Sequence, residues 1–368
     1  MKRIILISSE FPPLPGGIGN HAYHLSLGLS ENAKEITVVT DQRSPNIKED
    51  IQFDQSLPFQ VRRVPRYRFN FWTYWMRIMI VFGLILKEEK PTVIASGKFP
   101  LWMTAFLKRF FSKSNCIAIL HGSEINAGGS WSKRITKWSL SQFDTLIAVS
   151  EFTKQLALQQ NNVLNVEVIN NGFWIPKNQK EVDVKTISDA VNIVTVGNVT
   201  YRKGQQNVIA ALPLLKEKFP TIQYHIIGIP TEKNKFEALA KKLNVAENVK
   251  FYGALPLDEL TAIVAKSQVF FMLSDHLKNG DVEGFGIAVL EANAIGLPAI
   301  GSVNSGVADA IQDGFSGKLV HPHDIEGIAA ALEAIMLDYE TYSEQAKNWS
   351  KKFDWSIIIQ KYLAILDK

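Results

Sequence analysis

A single cysteine, Cys116, in 368 residues excludes a disulfide framework and any metal site built on cysteine sulfur. It suits a reducing compartment. Long apolar runs are missing too. The nearest to a membrane span, FNFWTYWMRIMIVFGLILK at 69–87, is interrupted by Asn70 and Arg77 and reads as a surface or interfacial helix. The start, MKRIILISSEFPPLPGG, has an apolar run too short for a secretory signal and reads as a first β-strand. No histidine pair has zinc spacing. The glycines after that strand do not make the GxGxxG dinucleotide fingerprint, and no low-complexity tract appears.

What is present is globular: 46% hydrophobic and 21% charged residues, in a chain long enough for two domains. Short β-branched runs alternate with helical patterns: RIILIS (3–8), EITVVT (35–40), TVIAS (92–96), CIAIL (116–120), TLIAVS (145–150) and VEVIN (166–170). Pro176 to Ala190 interrupts them with polar sequence and reads as a linker. Alternation resumes with VNIVTVGN (191–198), YHIIGI (224–229), VKFYG (249–253), VFFML (269–273) and PAIGS (298–302). The expected fold is α/β, two Rossmann-like doubly wound domains facing across a cleft, with ligands beyond the carboxyl ends of the strands. The expected domains are 1–176 and 177–352, with a final helix over 353–368 returning to the first.

Net charge is +4, unevenly placed. Residues 60–113 hold eleven Lys and Arg against Glu88 and Glu89, a net +9 that leaves −5 for the remainder. Phe69, Phe71, Trp72, Trp75, Trp102, Phe106, Phe110 and Phe111 are interleaved with them. Such a patch suits an anionic bilayer surface. It equally suits a core whose solvated faces carry the charge. Nucleic acid is the third reading, but no nucleic-acid-binding motif accompanies it. The expected location is cytoplasmic, peripheral at the inner face of the plasma membrane.

The chemistry concentrates in loops after strands. Residues 283–291, EGFGIAVLE, place two glutamates around a Gly-Phe-Gly turn that opens a helix. A helix start favours anions. Glu283 and Glu291, about 12 Å apart if every step were helical, suit a ligand with hydroxyls at both ends and phosphates between them, as in a nucleoside diphosphate sugar. Alone, such a pair reads as readily as a helix cap and a solvated carboxylate. Gly16, Gly17 and Gly19 open the first helix with amides that face a phosphate, or simply make a tight turn. In GNVTYRKG (197–204), Arg202 and Lys203 lead into a helix where cations neutralise a diphosphate. His121, ending CIAIL, positions a sugar hydroxyl or helps move a proton, or is structural. Asp281 with Glu283 offers a weak magnesium pair.

Taken together, the glycine loop, HG at 121–122, AVSEFTK at 148–154, NNGF at 170–173, GNVTYRKG and EGFGIAVLEANAIGLPAIGS resemble the retaining GT-B glycosyltransferases of family four, over essentially the whole chain. The resemblance implies that Glu291 binds donor ribose hydroxyls and Glu283 those of the transferred sugar. It implies that Lys203 and Arg202 hold the diphosphate, approached by Gly17 next to Gly16, with amides of Phe285 and Gly286 beside Gly284 completing the anion site. His121 would contact the sugar. One departure is Asn198, where the family usually has Arg after the glycine equivalent to Gly197. The resemblance further implies retention of anomeric configuration without a bound metal or cofactor. The stretch NGDVEGFG is similar to GDP-mannose-dependent transferases acting on lipid acceptors, with UDP-glucose or UDP-N-acetylglucosamine as alternative donors. The rivals are a non-catalytic glycan or nucleotide-sugar binder, a metal-dependent GT-A transferase and an oxidoreductase.

Overall fold

The computed structural model describes residues 3–14, 16–44, 46–66, 68–126, 128–174 and 191–367. The linker expected over 176–190, and with it the expected domain boundary, lies outside the described residues. The chain divides into two compact units, Met1–Gly172 with Trp355–Lys368, and Phe173–Asp354.

The first unit runs β1 (Ile4–Ser8), α1 (Gly17–Glu31), β2 (Ile36–Asp41), α2 (Ile47–Gln55), β3 (Gln60–Val64), α3 (Asn70–Ile85) and β4 (Thr92–Ser96). It continues through α4 (Lys98–Lys108), β5 (Asn115–Leu120), α5 (Ser123–Asn126), α6 (Ser130–Leu140), β6 (Thr145–Ala148), α7 (Glu151–Gln160) and β7 (Val166–Val168). The second runs β8 (Asn192–Val196), α8 (Gln205–Lys218), β9 (Gln223–Ile227), α9 (Lys233–Lys242), β10 (Val249–Gly253) and α10 (Leu257–Ala265). Then follow β11 (Val269–Met272), α11 (Ile287–Ala294), β12 (Ala299–Ser302), β13 (Gly317–Val320), α12 (Ile325–Leu337) and α13 (Tyr339–Ser350). The last helix, α14 (Trp355–Leu366), belongs to the first unit.

Both sheets are parallel, in the orders β3-β2-β1-β4-β5-β6-β7 and β10-β9-β8-β11-β12-β13. Strand order reverses between β1 and β4 in one sheet and between β8 and β11 in the other. Such a switch point opens a crevice at the strands' carboxyl ends. The central strands β1, β4 and β11 are wholly buried, as helices on both faces require.

Every apolar run singled out in the sequence contains a strand, whereas β3 and β13 went unread. Both are edge strands. An edge strand need not be apolar on both faces, and β3 (QVRRV) exposes Gln60 and Arg62. The final helix packs on α1: Tyr362 Oη lies 3.0 Å from His21 Nε2, and a Cβ on Gly28 would stand 2.9 Å from Ile359.

Helix α3 corrects one charge assignment. Its inner stripe is Thr73, Arg77, Val81 and Ile85, at steps of four, while Phe71, Trp72, Trp75, Met76 and Met79 face out. Arg77, counted with the surface charges, is instead buried, paired with Asp41 and 4.5 Å from the centre of the Phe99 ring. A buried guanidinium needs a partner because its desolvation otherwise goes uncompensated. Arg77→Ala leaves Asp41 buried without its cation and should cost about 3–5 kcal/mol. Chemical denaturation of the first unit's transition checks this, and a loss below about 1 kcal/mol would mean that water already solvates the pair.

Candidate functional site

The loops at the second unit's switch point carry the charges. After β8, Gly197 and the exposed Asn198 lead to a 3-10 turn, Tyr201–Lys203. Gly204 ends the turn at φ +80° and starts α8, and any Cβ there would overlap the Leu273 carbonyl that ends the β11 run. Glycine therefore lets the β8 loop lie directly on the β11 loop. Asn207 Nδ2 donates to that same carbonyl at 2.9 Å, and Gln205 ties the turn down through the Asn198 carbonyl at 3.1 Å.

This contact gathers four of the expected side chains. Glu283 is buried and accepts from Arg202 and, at 2.9 Å, from Lys203 Nζ. Arg202 Nε also lies 3.3 Å from Asp281 Oδ2. Burial pushes the Glu283 carboxyl pKa up, but Lys203 and Arg202 outweigh it and hold the group below its ordinary range. Both carboxylates of the magnesium reading are thus engaged by a cation. Among the described residues no three His, Cys, Asp or Glu side chains are grouped to hold a metal ion.

Helix α11 starts after Gly286, whose φ is +93°, and no side chain caps it, so Glu283 is not the helix cap. Gly284 packs against Gly306, while Phe285 is buried with its ring 5.8 Å from that of Phe353. Glu291 lies on α11 facing solvent. The surrounding protein raises its carboxyl pKa and Lys203 lowers it, a balance that water at an exposed carboxylate weakens. Gly197 completes the cluster: a Cβ there would stand 3.3 Å from Lys203 Cε.

The first unit holds the remaining candidates. Gly16 lies against the Glu10 carboxylate, which a side chain there would push aside, and Gly17 opens α1 with nothing within 4 Å of its Cβ position. His121 follows β5. Its Nε2 is 2.9 Å from Ser96 Oγ at the end of β4, and its ring lies 5.2 Å from that of His21. Burial lowers its pKa to about 4. His121 is therefore neutral near pH 7, able to orient a hydroxyl but not to serve as an imidazolium acid.

Two matches span nearly the whole chain: residues 15–173 fit the glycosyltransferase family 4 model, and residues 170–352 fit glycosyl transferases group 1. The chain belongs to the glycosyltransferases. A glycogen synthase of Mycobacterium tuberculosis is 26% identical over 98% of this chain and 94% of its own. A GDP-mannose-dependent alpha-(1-6)-phosphatidylinositol monomannoside mannosyltransferase of Mycolicibacterium smegmatis is also 26% identical, over 91% and 89%. In fold, the chain matches Anabaena HepE, solved with UDP and glucose, at a TM-score of 0.78 with 17% identity and full coverage of both. The fold is GT-B.

Two further residues of this glycosyltransferase escaped the sequence reading. Glu124 is buried and accepts the His121 backbone N–H. Burial raises its pKa against those backbone hydrogen bonds and the charge of Lys98. Its place three residues after His121 was the available signal. Ser96, which bonds the imidazole, is 25 residues away in sequence, so only the β4–β5 pairing brings it near.

The depressed histidine pKa has a direction in stability. Between the unfolded value near 6.5 and the folded value of about 4, the unfolded chain binds the extra proton, so His121 favours unfolding as pH falls through that window. NMR of histidine-labelled protein should show His121 untitrated above pH 5.5. A midpoint near 6.5 would mean that water reaches the ring.

Proposed function

We propose that the enzyme transfers a hexose from a nucleoside diphosphate sugar, with retention of anomeric configuration, to a hydroxyl of a lipid-linked or glycan acceptor in envelope polysaccharide or glycolipid synthesis. The observation that carries the reading is the convergence of Arg202 and Lys203 on one carboxylate beside the α11 start. A donor diphosphate competes with Glu283 for those cations. As it takes them, Glu283 is freed to accept hydrogen bonds from the sugar hydroxyls, and Glu291 does the same for the ribose. The amides of Phe285 and Gly286 face the phosphates. In the first unit, Gly17 leaves a backbone open to a phosphate, whereas the Glu10 carboxylate beside Gly16 would repel one, and neutral His121 can orient a sugar hydroxyl.

Bond making and breaking then need no protein nucleophile. The glycosidic C–O bond to the diphosphate lengthens through an oxocarbenium-like state. The acceptor oxygen attacks from the same face, and its proton passes to the departing phosphate. Arg202 and Lys203 stabilise the charge growing on that phosphate, the kind of term that is among the largest in catalysis. No metal is required, because two cations occupy the position a metal would serve.

For the donor we favour GDP-mannose, on the NGDVEGFG stretch and the match to a GDP-mannose-dependent enzyme. A UDP-glucose donor is the second reading, UDP and glucose being what the fold neighbour HepE was solved with. The enzyme works from the cytoplasmic side, peripheral to a membrane that carries the acceptor.

Thermal shifts with GDP, UDP, ADP, NAD and their sugar conjugates, without added metal, test the site. Selective stabilisation by GDP is expected, by UDP moves the donor to the second reading, and by none overturns the transferase. Lys203→Ala should lower turnover on the order of a hundredfold with far less effect on melting. Equal loss of both would make the lysine structural. Glu291→Ala should chiefly loosen donor binding, and an unchanged nucleotide affinity would refute the ribose role. Turnover should survive EDTA; a loss reversed by magnesium would return Asp281 and Glu283 to metal binding.

A further inference from the structure

Three helices of the first unit form one layer. The connections β3 to β4, β4 to β5 and β5 to β6 advance the same way across the sheet, so right-handed crossovers put α3, α4 and α6 on a single face. Contacts bear this out. Tyr74 stacks on Phe99 at 4.2 Å, Phe82 meets Phe111 at 5.1 Å, and Trp102 Nε1 donates to Thr136 Oγ1 at 3.0 Å.

The outward side of this layer is apolar. Phe71 is 65% exposed, Trp72 55%, Phe110 65% and Trp131 72%, with Trp75, Met79, Phe106 and Trp138 exposed as well. Monomeric soluble proteins rarely expose so many large side chains on one face. From Phe69 to Phe143, leaving aside the buried Arg77 and Glu124, the chain has nine Lys and Arg against two Glu. Arg109, Lys113, Lys133, Arg134 and Lys137 are exposed, and no ion pair among the described residues engages them. Helix α6 alone presents Lys133, Arg134 and Lys137 between two tryptophans, with no acidic residue. Beside α3, an open groove of about 540 Å³ has Val61, Ile80 and Leu84 as walls, with Arg62, Arg63 and Lys87 around them.

We propose that the outer face of α3, α4 and α6 docks on an anionic lipid bilayer. Indole and phenyl rings enter the headgroup region while the basic side chains remain among lipid phosphates. Both kinds of complementarity are needed: apolar area gives insertion, and the uncompensated cations select anionic lipid. Among the described residues no helix is long and apolar enough to cross a membrane, so the proposed contact is in the plane of the surface. This deepens the peripheral location proposed above, without resting on sugar transfer.

The test is sedimentation of the full chain with phosphatidylcholine vesicles, with and without phosphatidylglycerol. Binding is expected only to the anionic vesicles and should weaken with salt. Two variants, Trp72→Ser with Trp75→Ser and the triple Lys133→Glu, Arg134→Glu, Lys137→Glu, should each lower the partition coefficient by about tenfold or more. Both alter exposed positions, so unchanged melting and nucleotide shifts confirm folding. The proposal is overturned if the intact chain ignores anionic vesicles, or if neither variant changes binding. It is also overturned if the tryptophan pair instead abolishes a concentration-dependent dimer, or the triple abolishes oligonucleotide binding, with vesicles unbound.

Discussion

One buried carboxylate, Glu283, shared between Arg202 and Lys203, is the constraint on which the candidate site depends. Removing that charge from water is costly unless cations compensate it, and here two do. They come from the loop after β8, whereas Glu283 comes from the loop after β11. The ion pairs therefore bind together two segments that are about eighty residues apart in the chain and that also meet at Gly204 and through the Asp275 N–H donating to the Arg202 carbonyl. An arrangement held by electrostatics can be exchanged for another of the same sign, which is why a diphosphate is a natural competitor for it.

The sheet explains why these loops meet at all. In a parallel sheet with helices on both faces, backbone hydrogen bonds consume the strand interiors, and variation is confined to the ends. Strand order reverses between β8 and β11, which pair side by side, so their following loops start next to each other before the chain turns to helices on opposite faces. The first unit repeats the device at β1 and β4, where the glycine turn at Gly16 and Gly17 follows one strand and Ser96 ends the other. The same geometry thus yields a cluster of ion pairs in one unit and, in the other, a site around the neutral imidazole of His121.

The first unit also separates its two kinds of hydrophobicity. Its interior follows ordinary rules, with Ile5, Ile7, Val39, Val93 and Cys116 in one cluster. Helix α3 inverts them in part, since Thr73 and Arg77 face inward while aromatic rings face out. The Asp41 carboxylate and the Phe99 ring give the guanidinium its compensation. The aromatic side is thereby left exposed, which is the observation behind the proposed bilayer contact.

Alternation of β-branched runs, the polar stretch before β8 and the glycine-rich loops were enough to establish two parallel doubly wound domains, because a doubly covered sheet demands continuous apolar strands. The motifs around Arg202, Lys203, Glu283 and Glu291 were legible for a similar reason: helix starts, glycines and charges at strand ends have few other uses in combination. Edge strands β3 and β13 were not legible, since half-exposed strands carry no such demand. Nor was the pairing of Glu283 with both cations, the bond from Ser96 to His121, or the inward turn of Arg77. Each of these depends on which loops and faces the strand order brings together. Local sequence determines where a charge can occur, whereas only the tertiary contacts decide what compensates it.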